Sequence, residues 1–275
     1  MIVAGVDIGS RTTKAVVMDE RRDLLGRARV RTRPDFEALT EEVLAEALRP
    51  AGIERGEVSY LATTGFGRYN VAARDLQVTE ISAAGRGAVY LFPGTRSIID
   101  VGAQNSRAIH VDAAGRVKQF RSNDKCAAGA GSFIERAAKY LEIGIEDVGP
   151  LSMAGDKPVT ISSICAVLAE SEIINHVTDG LRVEDILRGV HNSLAGRAMA
   201  LLKRAGMEAE FTLVGGASRQ AGMVLALSEA VGAPVNVSED SDLAGAMGAA
   251  LLGLLRLRKQ GVLPAEETRP LALAS

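Results

Sequence analysis

Apolar and polar positions alternate in short blocks over the first third of the chain. The apolar blocks are rich in β-branched residues and are separated by a Gly-Ser turn and a charged turn, so they predict consecutive antiparallel strands. The three predicted strands are Ile2–Ile8, Thr13–Met18 and Leu24–Val30. Apolar residues at helical spacing then predict helices over about Phe36–Leu48 and Ile81–Leu91, with a further strand at Ser59–Thr64 between them.

The same pattern then starts again. Three blocks resemble the first three strands and predict a second trio: Ser97–Gly102, Arg107–Val111 and Arg116–Arg121. Four pairs of similar residues stand 93 positions apart without a gap: Asp7/Asp100, Gly9/Gly102, Lys14/Arg107 and Asp19/Asp112. One such pair could arise by chance, but four in one register indicate an internal duplication.

The remainder of the chain is predicted to be mainly helical. The expected helices are Gly131–Leu141, Cys165–Thr178, Glu184–Ala205, Arg219–Val231 and Asp242–Leu255, and the expected strands are Phe211–Val214 and Val235–Val237. A βββαβα order that occurs twice, with helical insertions in the second half, predicts a two-lobed α/β protein. We expect residues 1–95 and 242–275 to form lobe I, and residues 96–241 to form lobe II.

Composition and charge argue against nucleic-acid and membrane partners. The chain has 275 residues with a net charge of −2, so it lacks the excess of Lys and Arg that nucleic-acid surfaces need. No targeting signal is evident, and the apolar stretch around Ala244–Leu255 is too short to span a bilayer. These features predict a cytoplasmic protein, without nucleic-acid or membrane partners, whose two cysteines are reduced.

The first candidate chemistry lies in the duplicated turns. Each predicted strand–turn–strand carries an Asp before a Gly turn, and a backbone turn of this kind can cradle phosphate while the Asp orients a metal-bound water. Alone, Gly9-Ser10 could equally be a plain hairpin turn, but the duplication favours two phosphate loops that clamp a Mg-nucleotide between the lobes. A third glycine turn, Gly215-Gly216-Ala217, is suited to contact with adenosine.

This order of motifs resembles the actin/hexokinase/Hsp70 superfamily over nearly the whole chain. The resemblance implies an actin-like ATPase fold (ASKHA, RNase H-like) with Asp7 and Asp100 as catalytic residues. It assigns nucleotide binding to the residues of the three turns: Gly9, Ser10, Thr12, Thr13, Lys14, Gly102, Ala103, Gln104, Gly215, Gly216 and Ala217.

The two cysteines allow several interpretations. Cys126 stands in Asn-Asp-Lys-Cys-Ala-Ala-Gly and Cys165 in Ser-Ser-Ile-Cys-Ala-Val-Leu-Ala-Glu, each at the predicted start of a helix. Both could be small core residues, as most free cysteines are. A disulfide is disfavoured in a reducing compartment, and a zinc site lacks a nearby Cys or His in the sequence.

These two motifs resemble the BadF/BadG/BcrA/BcrD ATPase family, which comprises activators of 2-hydroxyacyl-CoA dehydratases and ATPase subunits of benzoyl-CoA reductase. The resemblance implies that Cys126 and Cys165 join two cysteines of a second ATPase subunit, in a homo- or heterodimer, to ligate one 4Fe–4S cluster. A cubane cluster requires four thiolates and this chain has two, which agrees with such sharing. We also expect Gly129 and Gly131 to contribute to cofactor binding.

The family resemblance leaves two branches open. Ala103 and Ile164 match the smaller ATPase subunit of benzoyl-CoA reductase better, whereas Gln104 and Asn123-Asp-Lys resemble the dehydratase activators. Both branches imply ATP, Mg²⁺, a ferredoxin-type electron donor and catalytic partner subunits that act on an acyl-CoA. A sugar kinase of the same superfamily with inert cysteines, or a non-catalytic nucleotide sensor, are the alternatives from other classes.

Overall fold

The computed structural model describes residues 1–123, 131–161 and 166–264, without the side chains of residues 166 and 167. Its described residues divide into two compact units. Unit 1 contains residues 1–94, 112–117 and those from 243 onward, and unit 2 contains residues 95–111 and 118–242.

Ten strands and eight helices occur within the described residues. The strands are β1 (Ile2–Ile8), β2 (Thr12–Asp19), β3 (Leu24–Arg31), β4 (Val58–Gly65), β5 (Leu76–Gln77), β6 (Ser97–Val101), β7 (Ser106–Val111), β8 (Val117–Asn123), β9 (Phe211–Val214) and β10 (Val235–Asn236). The helices are α1 (Phe36–Leu48), α2 (Glu80–Leu91), α3 (Ser132–Tyr140), α4 (Ile145–Met153), α5 (Ala166–Thr178), α6 (Val183–Ala205), α7 (Ala221–Val231) and α8 (Ala244–Lys259).

The two sheets have the same topology, which confirms the predicted duplication. Sheet order is β3-β2-β1-β4-β5 in unit 1 and β8-β7-β6-β9-β10 in unit 2. In both sheets the first strand pairs antiparallel with the next strand and parallel with the strand that follows a helical crossover. The α/β class and the repeated strand trio were therefore predicted correctly from hydrophobic patterning.

The turns that follow the second strand of each trio contain the same side-chain hydrogen bonds. The carboxylate of Asp19 accepts from the backbone N–H groups of Arg21 and Asp23, and the carboxylate of Asp112 accepts from those of Ala114 and Arg116. Arg22 and Gly115 occupy corresponding positions, and both have positive φ, 72° and 71°. The two carboxylates thus cap the same turn at a separation of 93 residues.

The core of unit 1 lies on both faces of its sheet, because successive side chains of a strand point to opposite faces. Ala15 and Val17 of β2 pack with Val43 and Leu44 of α1 in one cluster. On the other face, Met18 packs with residues of α8. Burying each large side chain contributes roughly 1.5–3 kcal/mol.

The unit 2 core includes one helix that was not predicted from the sequence. Helix α4 contains Gly149 and Pro150, two residues that disfavour a helix interior. Val148 and Ser152 of this helix are fully buried, and Val148 belongs to the main core cluster with residues of α6 and α7. Tertiary packing therefore overrides a weak local propensity.

A histidine is buried between these helices. His191 of α6 is fully buried, and its Nδ1 shares a 2.7 Å hydrogen bond with the hydroxyl of Ser152. Burial lowers the pKa of His191 to about 4, and the nearby cation of Arg188 acts in the same direction. The ring is therefore neutral in the folded protein at neutral pH.

We expect this histidine to make the fold sensitive to acid. Between pH 6.5 and about 4 the unfolded chain binds a proton that the folded chain does not, so stability falls as the pH is lowered through this window. The full effect is about 3 kcal/mol. Denaturant unfolding at several pH values should show this loss in the wild type and a smaller loss in His191→Gln. His176→Gln, which changes an exposed ring, is the control; an equal pH slope in all three proteins would contradict the assignment.

None of the helices in the described ranges combines the length and apolar content that crossing a bilayer requires.

Candidate functional site

In unit 1, the first predicted catalytic carboxylate lies at the carboxyl end of β1. Asp7 pairs in register with Lys14 on β2, and the Lys14 Nζ lies 3.9 Å from the Asp7 Oδ2. Both side chains are largely shielded, with 18% of Asp7 and 10% of Lys14 exposed. The hairpin thus places a carboxylate beside an ammonium group at one sheet edge.

The turn between β1 and β2 is fixed by hydroxyl groups. The hydroxyl of Thr32, just after β3, donates to the carbonyl of Gly9 and shares a 2.9 Å hydrogen bond with the hydroxyl of Thr13. Thr13 is fully buried, so its hydroxyl holds the turn in place. Ser10 on the turn and Thr12 at the start of β2, by contrast, are partly exposed.

A glycine that was not predicted from the sequence lies against Asp7. Gly65 ends β4 with φ of 87°, and a Cβ atom built on it would lie 2.4 Å from the Asp7 Oδ1. Any side chain at this position would therefore displace the carboxylate. The sequence contains a signal, since a glycine that ends a buried strand beside β1 often marks close backbone approach.

Unit 2 repeats this arrangement around Asp100. Asp100 on β6 pairs in register with Arg107 on β7, whose Nη1 donates to the Asp100 Oδ2 at 3.1 Å. Gly215 follows β9, the strand parallel to β6, and has φ of 82°. A Cβ atom on Gly215 would lie 2.6 Å from the Asp100 Oδ1, which makes Gly215 the counterpart of Gly65.

The second predicted phosphate turn is joined to the start of α3. The backbone N–H groups of Gly131 and Ser132 donate to the carbonyls of Gly102 and Ala103, both at 2.9 Å. Gln104 lies exposed at the tip of the same turn. Four of the predicted binding residues, Gly102, Ala103, Gln104 and Gly131, are thus brought together.

The third glycine turn begins directly after β9. Gly216 starts a short 3-10 helix, Gly216–Arg219, and is exposed with open space around it. Ala217 is buried and packs in the core of unit 2, so it offers a ligand only its backbone. The hydroxyl of Ser218 donates to the carbonyl of Gly215 and holds the turn closed.

The predicted cluster ligands Cys126 and Cys165, together with Gly129, lie outside the described residues. Helix α5 begins at Ala166, directly after Cys165, and α3 begins at Ser132. Within the described ranges, no group of three or more His, Cys, Asp or Glu side chains is arranged to hold a metal ion.

One acid joins the two helices that follow the cysteine motifs. Glu170 of α5 accepts from the Arg136 guanidinium at 2.5 Å and from the Tyr140 hydroxyl at 3.0 Å, and both donors lie on α3. The hydrogen bond to Glu170 raises the pKa of the Tyr140 phenol. From the sequence, Glu170 could be a residue near the cluster, a hinge residue or part of a solvated helix face; in the structure it connects α3 to α5.

Comparison with known proteins agrees with this arrangement. The sequence profile of the BadF/BadG/BcrA/BcrD ATPase family matches residues 4–253. The chain is 39% identical to one of the benzoyl-CoA reductase subunits of Thauera aromatica over 269 residues, which cover 94% of this chain and 95% of that protein.

Solved structures show the same fold. The activator of the 2-hydroxyisocaproyl-CoA dehydratase from Clostridium difficile, with bound ADPNP, superposes with a TM-score of 0.89 at 34% identity, over 98% of this chain and all of that one. A ROK family glucokinase from Streptomyces griseus is similar in fold alone, with a TM-score of 0.56 at 18% identity over 92% of this chain and 99% of that one. The predicted actin-like ATPase fold is thereby confirmed.

Proposed function

Because this chain belongs to the BadF/BadG/BcrA/BcrD ATPase family, we propose that it hydrolyses ATP to drive low-potential electron transfer to an acyl-CoA-reducing partner. The observation that carries the proposal is the repeated carboxylate, Asp7 in unit 1 and Asp100 in unit 2. Each lies beside a cation and is flanked by a positive-φ glycine. Carboxylates that hold Mg²⁺ or orient its bound water, with cations near the phosphate oxygens, are recurring parts of phosphoryl-transfer sites. The related dehydratase activator with bound ADPNP supports a nucleotide as the ligand.

The residues of the three turns fit such a nucleotide chemically. Asp7 and Asp100 supply carboxylates for Mg²⁺-bound water, and Lys14 supplies a cation for phosphate oxygens. The glycines at 65 and 215 keep side chains away from both carboxylates. Mg²⁺ would neutralise charge on the phosphates when bound, while the chain fixes the orientation of its own donors.

We base the proposed 4Fe–4S cluster on the number of cysteine thiolates that each chain can supply. The chain has two cysteines and a 4Fe–4S cluster takes four thiolates, so two chains would complete one set. The cluster supplies one-electron chemistry when bound. Helices α3 and α5 follow the two cysteine motifs closely, and Glu170 would hold these segments at a fixed separation.

Within the family, we propose the benzoyl-CoA reductase branch, with the dehydratase activators as the alternative. The 39% identity to the Thauera aromatica reductase protein favours the first. The high structural similarity to the Clostridium difficile activator favours the second. A ferredoxin-type protein is the proposed electron donor for either branch.

An anaerobic reconstitution tests the function. The purified chain, with a dithionite-reduced ferredoxin and ATP, is mixed in parallel with the catalytic subunits of a benzoyl-CoA reductase and with a 2-hydroxyacyl-CoA dehydratase. We expect ATP-dependent product formation in the first mixture and none with ADPNP in place of ATP. Turnover only in the dehydratase mixture would move the chain to the other branch. ATP-dependent phosphorylation of a sugar, with no product in either mixture, would contradict the proposal.

The Glu170 connection yields a further prediction. In Glu170→Gln the charge-assisted contact with Arg136 is weakened, so we expect α3 and α5 to separate more readily and iron to leave faster to a chelator. The apparent stability should fall by only about 1 kcal/mol, because Arg136 is partly exposed. Iron loss is followed by the colour of a ferrous chelator. Asp156→Asn, at an exposed ion pair with Arg182, is the control, and equal iron loss in both variants would contradict the role of Glu170.

A further inference from the structure

A second glycine approaches Asp7 from a different element of unit 1. Gly245 is the second residue of α8, and a Cβ atom built on it would lie 2.8 Å from the Asp7 Oδ2 and 3.2 Å from its Cγ. A real Cβ atom essentially never comes within 3.0 Å of such a neighbour. The first turn of α8 can therefore contact the carboxylate only because residue 245 has no side chain.

The carboxylate of Asp7 thus has one glycine against each oxygen. Gly65 lies against Oδ1 and Gly245 against Oδ2, while Lys14 faces Oδ2 from the neighbouring strand. Backbone on both sides leaves the carboxylate little freedom to rotate. The start of a helix also carries partial positive charge, which favours an anionic group at this place.

Asp100 is held in a different way. Its Oδ1 is approached by Gly215, and its Oδ2 accepts a hydrogen bond from Arg107. Among the described glycines, Gly215 alone approaches Asp100 in this manner. The duplication therefore keeps one glycine contact and one cation at each carboxylate, and among the described glycines a second contact occurs only at Asp7.

We propose that Gly245 is a positioning residue for Asp7, which it holds in the orientation required for Mg-ATP hydrolysis. The inference rests on the proposed function of Asp7 as a nucleotide-site carboxylate. Unlike Gly65, Gly245 has ordinary helical backbone, since its φ is not positive. A side chain at position 245 would therefore act through Asp7 and not through backbone strain.

The substitution Gly245→Ala isolates this effect. Alanine favours a helix over glycine, and the three heavy atoms nearest to the new methyl group all belong to Asp7. We expect kcat for ATP hydrolysis to fall on the order of 100-fold, with a smaller change in KM, because the carboxylate is displaced. The Mg²⁺ concentration for half-maximal rate should rise. Gly196→Ala in α6, where a new methyl group meets open space, is the matched control and should leave both values unchanged.

A thermal double-mutant cycle tests the contact without reference to activity. Gly245→Ala is made in the wild type and in Asp7→Ala, and the apparent Tm of each metal-free protein is measured. With Asp7 absent, the substitution should raise the Tm as Gly196→Ala does; with Asp7 present, the gain should be lost or reversed. The same Tm change in both backgrounds, including failure of both to fold, would overturn the proposal.

The two measurements separate this inference from the proposed function. If the wild type does not hydrolyse ATP, the proposed function fails while the thermal cycle still reports on the contact. If the wild type hydrolyses ATP and Gly245→Ala matches it in kcat and Mg²⁺ dependence, Gly245 does not position Asp7 and the inference alone is wrong.

Discussion

Replacing Asp7 by Ala is expected to lower the rate of ATP hydrolysis by on the order of a thousandfold. Phosphoryl transfer depends almost entirely on positioning and on stabilisation of charge, so loss of a carboxylate that orients the metal-bound water removes a large part of catalysis. Asp7 is held by backbone on both sides and by Lys14, which fixes the orientation of its carboxylate. Steady-state phosphate release measures the effect.

Asp100→Ala should reduce hydrolysis to a similar extent, with an additional loss of stability. This substitution leaves the Arg107 guanidinium, which is only 12% exposed, without the carboxylate it contacts. The apparent Tm of each variant separates the two effects. Asp23→Ala, which removes an exposed carboxylate from the turn between β2 and β3, is the control and should keep the wild-type rate. Wild-type turnover in both Asp7→Ala and Asp100→Ala would refute the assignment of these aspartates.

Removing either cysteine is expected to abolish the cluster while nucleotide binding is largely retained. Each substitution, Cys126→Ala or Cys165→Ala, removes one thiolate from each of two chains, and the two that remain should not hold a stable cubane. Neither cysteine belongs to the three glycine turns assigned to ATP, so the nucleotide site should persist. Electron delivery would then fail although ATP still binds.

To test this, both cysteine variants are prepared anaerobically and reconstituted with iron and sulfide. They are then titrated with a labelled nucleotide. A full EPR signal after reduction in either variant would show that its cysteine is not a ligand. Loss of ATP binding in both variants would mean that the cysteines support the nucleotide site, which would favour the sugar-kinase alternative.

Much of the fold was predictable because strands and their turns carry local signals. The β-branched runs and the repeated acidic turns, such as those at Asp19 and Asp112, depend on neighbouring residues and are visible as pattern. Helix α4 was missed because Gly149 and Pro150 are poor helix formers, and only packing against α6 and α7 compensates for them.

The site was predictable to a smaller extent. Asp7 and Asp100 stand out because the duplication repeats them, but Gly65 and Gly245 gain their meaning only from contact with a carboxylate on another element. A sequence pattern reports neighbours along the chain, and it cannot report that a helix start lies against a strand end. Glu170 is a similar case, since its two partners lie on α3.

We propose that two chains share one cluster and use ATP to drive its electron onward. Native mass spectrometry of the anaerobically purified protein tests this most directly, because it reports subunit number and bound iron and sulfide in one measurement. We expect a dimer that carries about four iron and four sulfide ions. A monomer that carries a complete cluster, or a dimer without iron after reconstitution, would contradict it.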